Sequence, residues 1–184
     1  MRRRAVELLG LKRGDAVVDV ACGTGLSFEL IERGIGEEGT LVGIDLSGDM
    51  LDRARKRAAS AGWRNVTLIE APVEEADIQM AADAALFVLT HDVMRSSAAL
   101  RHVLAQVRPG GRVVAAGAKL GPRWALPTNL LVCAISRRYV TTLEGLGRPW
   151  DRLADLVPHL RVESLMLGGT YVAWGNLSAD PHDM

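Results

Sequence analysis

Two glycines and two acids near the amino terminus have the types and spacing of a ligand-binding loop. Asp19 ends an apolar run, and Gly23 and Gly25 follow it in a loop of small residues. Asp45 ends the next apolar run, where an acid can accept both hydroxyls of a ribose. Glycine lets a backbone approach a ligand closely, and the helix after such a loop offers free N–H groups. The loop alone would also suit a tight turn, but the loop and the acid together predict a nucleoside ligand.

Two classes of nucleoside cofactor fit such a loop. A dinucleotide needs a third glycine to admit its pyrophosphate, and Phe28 stands where that glycine would fall. S-adenosylmethionine needs an acid near the end of the first strand and a glycine turn, without space for a pyrophosphate. Asp19 with Gly23 and Gly25 fits this second class, so the pattern favours S-adenosylmethionine over NAD.

The elements that position these residues follow from hydrophobic periodicity. Apolar runs without strict alternation, typical of buried parallel strands, predict strands at 16–20, 41–44, 66–70, 84–90 and 112–118. Segments of helical period predict helices at 26–33, 49–61, 72–82 and 98–107. Two later strands, 162–167 and 171–174, have a link too short for a crossover helix, so they should pair antiparallel.

Three stretches carry a resemblance to a known family. "VVDVACGTG", "LVGIDLSGDML" and "LAQVRPGGRVV" occur in this order, and together they resemble the class I S-adenosylmethionine-dependent methyltransferases. The similarity is to the group related to ubiquinone and menaquinone biosynthesis methyltransferases, and it runs from about residue 5 to 117. It implies an α/β fold with a Rossmann-like, doubly wound, seven-stranded sheet, mostly parallel with an antiparallel last strand. It also implies S-adenosyl-L-methionine as the cofactor.

The resemblance further implies a role for individual residues around that cofactor. They are Gly23 and Gly25 near the methionine part, Asp19 organising their loop, Asp45 on the ribose, and Leu46 and Met50 against the adenine.

The chain departs from the family pattern at two positions of this site. Ala21 stands where the family has glycine, a mild change that tightens the loop without closing it. Pro72 stands where many relatives have an aspartate that accepts a hydrogen bond from the adenine amino group. We therefore expect the backbone around Ala71 and Val73 to hold the adenine.

The end of the fourth strand is where the transferred group should lie. Thr90, His91 and Asp92 follow that strand, and Thr90 is predicted to border the cofactor. Histidine can take a proton near neutral pH, so His91 is a candidate general base. The alternative is a structural histidine that caps the next helix, and Asp92 is expected to be a cap or a partner.

An acceptor site is expected in the later part of the chain, where the family inserts a substrate cover. Trp124, Tyr139 and Trp150 are candidate substrate-binding residues in this segment. The alternative is a helix packed on the sheet edge that ends in a solvated pair of arginines. Trp63 and Trp174 are expected to pack in the core.

Composition argues against several other classes of function. The chain has 22 basic and 22 acidic residues, so no overall charge favours nucleic acid, and the partner should be a small-molecule methyl acceptor. Its two cysteines, Cys22 and Cys133, suggest neither a disulfide framework nor a metal site. The cysteine pattern suits a reducing compartment, so a cytoplasmic location is predicted. No signal peptide is evident, and the apolar stretch 124–140 is too short and too polar for membrane insertion.

The organisation expected is one domain over residues 1–184, with a cofactor half at about 1–118 and a substrate cover and closing hairpin at about 119–178. The leading hypothesis is a methyltransferase that acts in line on a small apolar or aromatic molecule. The alternative is a catalytically silent or repurposed domain that binds S-adenosylmethionine without turnover.

Overall fold

The computed structural model describes residues 1–121 and 145–179. Within them the helices are α1 (Arg2–Leu9), α2 (Phe28–Ile35), α3 (Gly48–Ala61), α4 (His91–Arg95), α5 (Ser97–Leu104) and α6 (Asp151–Ala154). The strands are β1 (Ala16–Val20), β2 (Thr40–Asp45), β3 (Val66–Glu70), β4 (Ala82–Val88), β5 (Val107–Ala118), β6 (Arg161–Leu165) and β7 (Thr170–Asn176). Among the helices of these residues, none is both long enough and apolar enough to cross a bilayer.

The strands form one seven-stranded sheet in the order β3-β2-β1-β4-β5-β7-β6. The pairs among β1 to β5 are parallel, whereas β7 runs antiparallel to both β5 and β6. The predicted doubly wound α/β sheet with an antiparallel last strand is therefore confirmed. The strand order reverses beside β1, and at such a point the carboxyl ends of the strands open a crevice that ligands use.

Both faces of the sheet are buried, which explains why its central strands are continuously apolar. Successive residues of β1 point to opposite faces, so Val17 packs with α1, α2 and α3 while Val18 packs with α5 and α6. All of β1 after Ala16 is buried. Side-chain caps begin two of the helices, with Ser47 Oγ accepting from the Met50 N–H before α3 and Ser96 Oγ from the Ala99 N–H before α5.

Helix α1 runs between the carboxyl end and the amino end of the parallel strands. Its first residue, Arg2, exerts its charge on Asp19 at the carboxyl end of β1. At its other end, the Leu8 carbonyl accepts a hydrogen bond of 2.8 Å from Nε of Arg112, which stabilises the carbonyl end of the helix dipole. The helix thus brings its amino terminus to the edge where the glycine loop lies.

The predicted helix at 72–82 is wrong. Only Val73–Glu75 form a single 3-10 turn, and the next residues alternate between buried Ala76 and Ile78 and exposed neighbours, as an extended segment does. Strand β4 also begins and ends two residues earlier than the predicted 84–90, because Thr90 is the residue that precedes α4.

Candidate functional site

The loop after β1 leaves open space beside one of its glycines. Gly23 has φ +58° and Gly25 has φ +71°, conformations that favour glycine. A Cβ added to Gly23 would meet nothing within 4 Å, so a ligand can approach the backbone there. A Cβ added to Gly25 would lie 2.7 Å from the ring of Phe28, so this glycine is required by internal packing.

Phe28 fills the space beneath the loop. Its side chain is fully buried, and a Cβ on Gly43 of β2 would come within 3.0 Å of the same ring. The place where a dinucleotide fingerprint has its third glycine is therefore occupied by an aromatic ring. This packing supports the sequence argument against a pyrophosphate beside α2.

Asp45 fixes the loop from the neighbouring strand. Its Oδ2 accepts a hydrogen bond of 2.8 Å from the Gly23 N–H, and its Oδ1 accepts one of 2.9 Å from the Ser47 N–H. Arg57 of α3 donates from Nε to the Thr24 carbonyl at 3.0 Å and ties the loop from a second direction. Because each carboxylate oxygen can accept two bonds, Asp45 retains one acceptor position on each oxygen for a ligand.

Ala21 occupies a backbone conformation that suits glycine. Its φ is +49°, in the left-handed region where a Cβ costs about 1 to 2 kcal/mol. The sequence predicted only a tighter loop from this departure, and the structure shows that it adds backbone strain at the entrance to the site.

Asp19 is a buried acid with an unused oxygen. The residue is 2% exposed, and its Oδ2 has no hydrogen-bond partner. The pKa of Asp19 is raised from 3.8 to about 7, mainly by burial and to a smaller extent by the nearby Asp45, while the charge of Arg2 and a hydrogen bond from Ser27 oppose the increase. An orphaned carboxyl oxygen at this edge of the sheet is suited to a cationic ligand group.

Arg2 belongs to this cluster, which the sequence reading missed. The sequence assigns Arg2 no role, but its Nε is buried and has no hydrogen-bond partner. The missed signal was helical spacing, since Arg2 lies on the face of α1 that carries the buried Ala5, Val6 and Leu9.

Thr90 adds a third orphaned group at the same edge. It is 8% exposed, its Oγ1 has no partner, and it precedes α4 without making a side-chain cap hydrogen bond. His91 is the first residue of α4 and is half-buried, and the exposed Asp92 follows it. The preceding Leu89 is exposed and has φ +62°. The chain thus turns sharply where β4 ends, which brings Thr90 and His91 to the mouth of the sheet.

The surface predicted to face the adenine is open and apolar. Leu46 is 71% exposed and Met50 is 41% exposed, both just beyond β2. The Ala71 N–H already donates to the Asp45 carbonyl at 3.2 Å, whereas Val73 begins a 3-10 turn and so has no partner for its N–H within that turn. Of the two backbone groups predicted to hold the adenine, Val73 is therefore the better placed donor.

Trp150 is the only predicted acceptor residue within the described ranges, since Trp124 and Tyr139 lie outside them. Its ring centroid lies 5.0 Å from that of Tyr171, and Nζ of Lys119 lies 6.0 Å from its ring. Lys119 directly follows β5, so Trp150 stands at the carboxyl edge of the sheet. Trp63 and Trp174 pack against the core on the α1 side, as predicted.

Cys22 lies in the glycine loop but lacks the character of a nucleophile. Burial, together with the negative charges of Asp19 and Asp45, raises the pKa of the Cys22 thiol far above its ordinary range. Its Sγ also lies 2.9 Å from the position of a Cβ on Gly43, so it is a packing residue of the loop.

Comparison with known proteins gives a family match over half of the chain. Residues 17–111 match a family model described as a methyltransferase domain. A ubiquinone/menaquinone biosynthesis C-methyltransferase of Azotobacter vinelandii is 33% identical over 61% of this chain and 46% of the relative. A 2-phytyl-1,4-naphtoquinone methyltransferase of Trichormus variabilis is 28% identical over 56% of this chain and 48% of the relative. An aklanonic acid methyltransferase of a Streptomyces species is 35% identical over 38% of this chain and 31% of the relative. The chain thus spans half or less of the length of these curated relatives.

Solved structures with the same architecture cover nearly the whole chain. A SAM-dependent methyltransferase from Aquifex aeolicus has a TM-score of 0.67 at 18% identity, and the match covers 96% of this chain and 89% of the Aquifex chain. A SAM-dependent O-methyltransferase from Thermotoga maritima has a TM-score of 0.68 at 14% identity, over 97% of this chain and 65% of its own. At these identities the likeness is one of fold.

Proposed function

The chain belongs to the class I S-adenosylmethionine-dependent methyltransferases, and we propose that it transfers a methyl group in line to a small apolar or aromatic acceptor. The family predicted from the sequence is that of the matched relatives, and the cofactor predicted with it is the one named for solved structures of the same fold. The names of two relatives, a naphthoquinone methyltransferase and an aklanonic acid methyltransferase, support an aromatic acceptor.

The buried polar groups at the carboxyl edge fit the cofactor, and this observation carries the proposal. Three atoms around the ends of β1 and β4 and the start of α1 have no partner, namely Oδ2 of Asp19, Nε of Arg2 and Oγ1 of Thr90. Burying such groups unpaired is costly, so their presence together indicates a ligand that supplies a cation, an anion and a further polar group. The methionine part of S-adenosylmethionine carries an ammonium and a carboxylate, which match Asp19 and Arg2.

The remaining predicted residues surround this cluster. Gly23 and Gly25 give close access to the backbone, and Asp45 offers one free acceptor position on each oxygen for the ribose hydroxyls. Leu46 and Met50 offer apolar surface to the adenine. When bound, the cofactor supplies an electrophilic methyl group on a sulfonium, so the protein mainly needs to orient the acceptor and exclude water.

We assign the acceptor side to the later part of the chain, at about 119–178. Trp150 is held against Tyr171 and offers an aromatic surface near the end of β5. His91 stands at the end of β4, where a general base would remove a proton from an acceptor hydroxyl. This division of labour gives residues 1–118 the binding of the cofactor.

The second candidate function is a catalytically silent domain that binds the cofactor without turnover. Pro72 favours it, because this half-buried residue lacks the side-chain acceptor that an adenine amino group would use. Losing one such hydrogen bond costs about 0.5 to 1.5 kcal/mol, which weakens binding without abolishing it.

The two functions are separated by one pair of measurements. Calorimetry with S-adenosylhomocysteine tests the cofactor site, and incubation with S-adenosylmethionine and a panel of quinols, phenols and catechols tests transfer. The proposed function predicts binding and a gain of one methylene in mass on a panel member. Binding without any product across the panel would favour the silent domain, and absence of binding would contradict both.

A further inference from the structure

A second cleft opens at the amino end of the parallel strands, whereas the glycine loop lies at their carboxyl end. It has a volume of about 550 Å³ and lies where β6 begins and β7 ends. The residues that line it include Arg112, His159, Arg161, Trp174, Asn176 and Ser178. Its volume lies within the range of about 300 to 1,000 Å³ that is usual for small-molecule sites.

The cleft concentrates positive charge. Arg112 and Arg161 line it together with the imidazole of His159, and no acidic residue is among its lining residues. The whole chain carries equal numbers of acidic and basic residues, 22 of each, so this local excess is not a consequence of composition. A concave surface with cations of this kind attracts an anionic ligand.

Arg112 is held in a fixed orientation. Its Nε donates to the Leu8 carbonyl at 2.8 Å, and its Nη1 donates to Oδ1 of Asn176 at 2.6 Å. Asn176 in turn donates to the Gly110 carbonyl at 2.8 Å. Two of the five N–H donors of the guanidinium are thereby used, and the remaining ones belong to a preorganised cation that loses little entropy on binding a phosphate or carboxylate.

Trp174 supplies an aromatic surface beside these cations. It pairs with Arg161 across the β6–β7 ladder and with Val114 across the β5–β7 ladder, so all three side chains share one face of the sheet. The indole is half-buried and packs against the core cluster to which α1 contributes. The accessible part of this indole, beside Arg161 in the cleft, offers a stacking surface for a planar ring.

His159 approaches the cleft through a strained turn. It is exposed and has φ +53°, in the left-handed region that is unfavourable for a side chain with a Cβ. Strain of this kind is concentrated at binding sites. It occurs here two residues before Arg161, at the rim of the cleft.

We propose that this cleft binds an anionic ligand that carries a planar aromatic ring and has the size of a nucleoside monophosphate. The ring stacks on Trp174, and the phosphate lies among Arg112, His159 and Arg161. The site is separate from the methyl-transfer site, because it lies at the amino edge of the sheet while the glycine loop lies at the carboxyl edge.

Calorimetric titration with guanosine 5′-monophosphate tests the proposal. The titration is made with the cofactor site saturated by S-adenosylhomocysteine, so that the glycine loop cannot bind the nucleotide. We expect guanosine monophosphate to bind at least about tenfold more tightly than guanosine or inorganic phosphate, since only the nucleotide uses both the ring and the cations. No binding, or equal affinity for guanosine and its monophosphate, would overturn the proposal.

Matched variants locate the binding. Arg161→Ala and Trp174→Leu should each weaken binding of the nucleotide about tenfold. Arg64→Ala and Trp63→Leu, an exposed arginine and a partly buried tryptophan on the β3 side of the sheet, should leave it unchanged. Arg161 is exposed, so its removal does not threaten folding. Binding that survives Arg161→Ala would contradict the assignment.

The result is independent of the proposed methyl transfer. If S-adenosylhomocysteine fails to bind, the proposed function fails, but a titration without it in which Arg161→Ala loses nucleotide binding still supports the second site.

Discussion

The backbone N–H of Gly23 donates to Oδ2 of Asp45 at 2.8 Å, so the acid at the end of β2 shapes the loop that follows β1. The same carboxylate is the group proposed to accept the ribose hydroxyls. Because Oδ1 also accepts from Ser47, a single side chain links the loop, the end of β2 and the start of α3. Loop geometry and ribose recognition are therefore coupled through one residue.

This coupling predicts a large effect of Asp45→Ala on cofactor binding. The variant loses bonds from a charged acceptor to the ligand, each worth about 1.5 to 3 kcal/mol, and it also releases the loop. Calorimetry with S-adenosylhomocysteine should show the loss. The control is Asp52→Ala, which removes an exposed carboxylate that pairs with Arg55 on α3 and should leave the affinity unchanged. Unchanged affinity in Asp45→Ala would contradict the site.

The two loop glycines should respond differently to alanine. Gly25→Ala places a Cβ 2.7 Å from the buried ring of Phe28 and should lower the free energy of unfolding. We expect about 2 to 4 kcal/mol, from overpacking together with left-handed strain. Gly23→Ala meets nothing in the free protein and should cost stability only through strain, about 1 kcal/mol, while its Cβ enters the space proposed for the ligand. Urea unfolding and calorimetry separate the two effects, and a Gly23→Ala variant that binds normally would argue against a ligand at this loop.

Ala21→Gly should stabilise the protein. Relief of the strain at φ +49° raises the free energy of unfolding by about 1 to 2 kcal/mol. The greater entropy of glycine in the unfolded chain lowers it by about 0.4 to 1 kcal/mol. The midpoint of thermal unfolding should therefore rise. Ala59→Gly is the control, since it lies on the exposed face of α3, where glycine costs about 1 kcal/mol and the midpoint should fall. A lower midpoint for Ala21→Gly would mean that the strain is absent.

The burial of Asp19 predicts a pH dependence of stability and of binding. Its pKa is about 7 in the folded protein and 3.8 in the reference state, so between these values the folded protein keeps a proton that the unfolded chain releases. The free energy of unfolding should then fall as the pH rises from about 4 to 7, by at most about 1.4 kcal/mol per pH unit. Asp19→Asn should remove this slope in urea unfolding between pH 4 and 8.

Binding should show the opposite trend. An ionised Asp19 accepts a bond from the ligand ammonium, so affinity for S-adenosylhomocysteine should increase from pH 6 to pH 8. In Asp19→Asn the affinity should be weaker and independent of pH over this range. A parent protein with equal affinity at both pH values would show that the ligand does not contact this carboxyl.

Sequence reasoning predicted the sheet because its signals are local and repeated. The apolar runs of β1 and β3 fixed their bounds to the residue, and the short link before β7 indicated antiparallel pairing. It failed at 72–82, where Ala76 and Ile78 are buried in an extended segment whose alternation is too short to distinguish from helical spacing. Helical spacing could have placed Arg2 on the buried face of α1, but its charge interaction with Asp19 depends on how α1 crosses the sheet, which is a tertiary relationship.

The proposed base can be tested once an acceptor is known. His91 begins α4 at the mouth of the sheet, beside the orphaned hydroxyl of Thr90. If it removes a proton from the acceptor, His91→Asn should lower kcat by about 10² to 10⁴ while the affinity for S-adenosylhomocysteine stays the same. The control is His102→Asn, because a ring nitrogen of His102 lies 2.7 Å from the Ala76 carbonyl, so this histidine supports the fold and its loss should lower stability more than kcat. If His91→Asn instead raises KM with kcat intact, His91 only lines the acceptor pocket, and orientation of the acceptor alone accounts for catalysis.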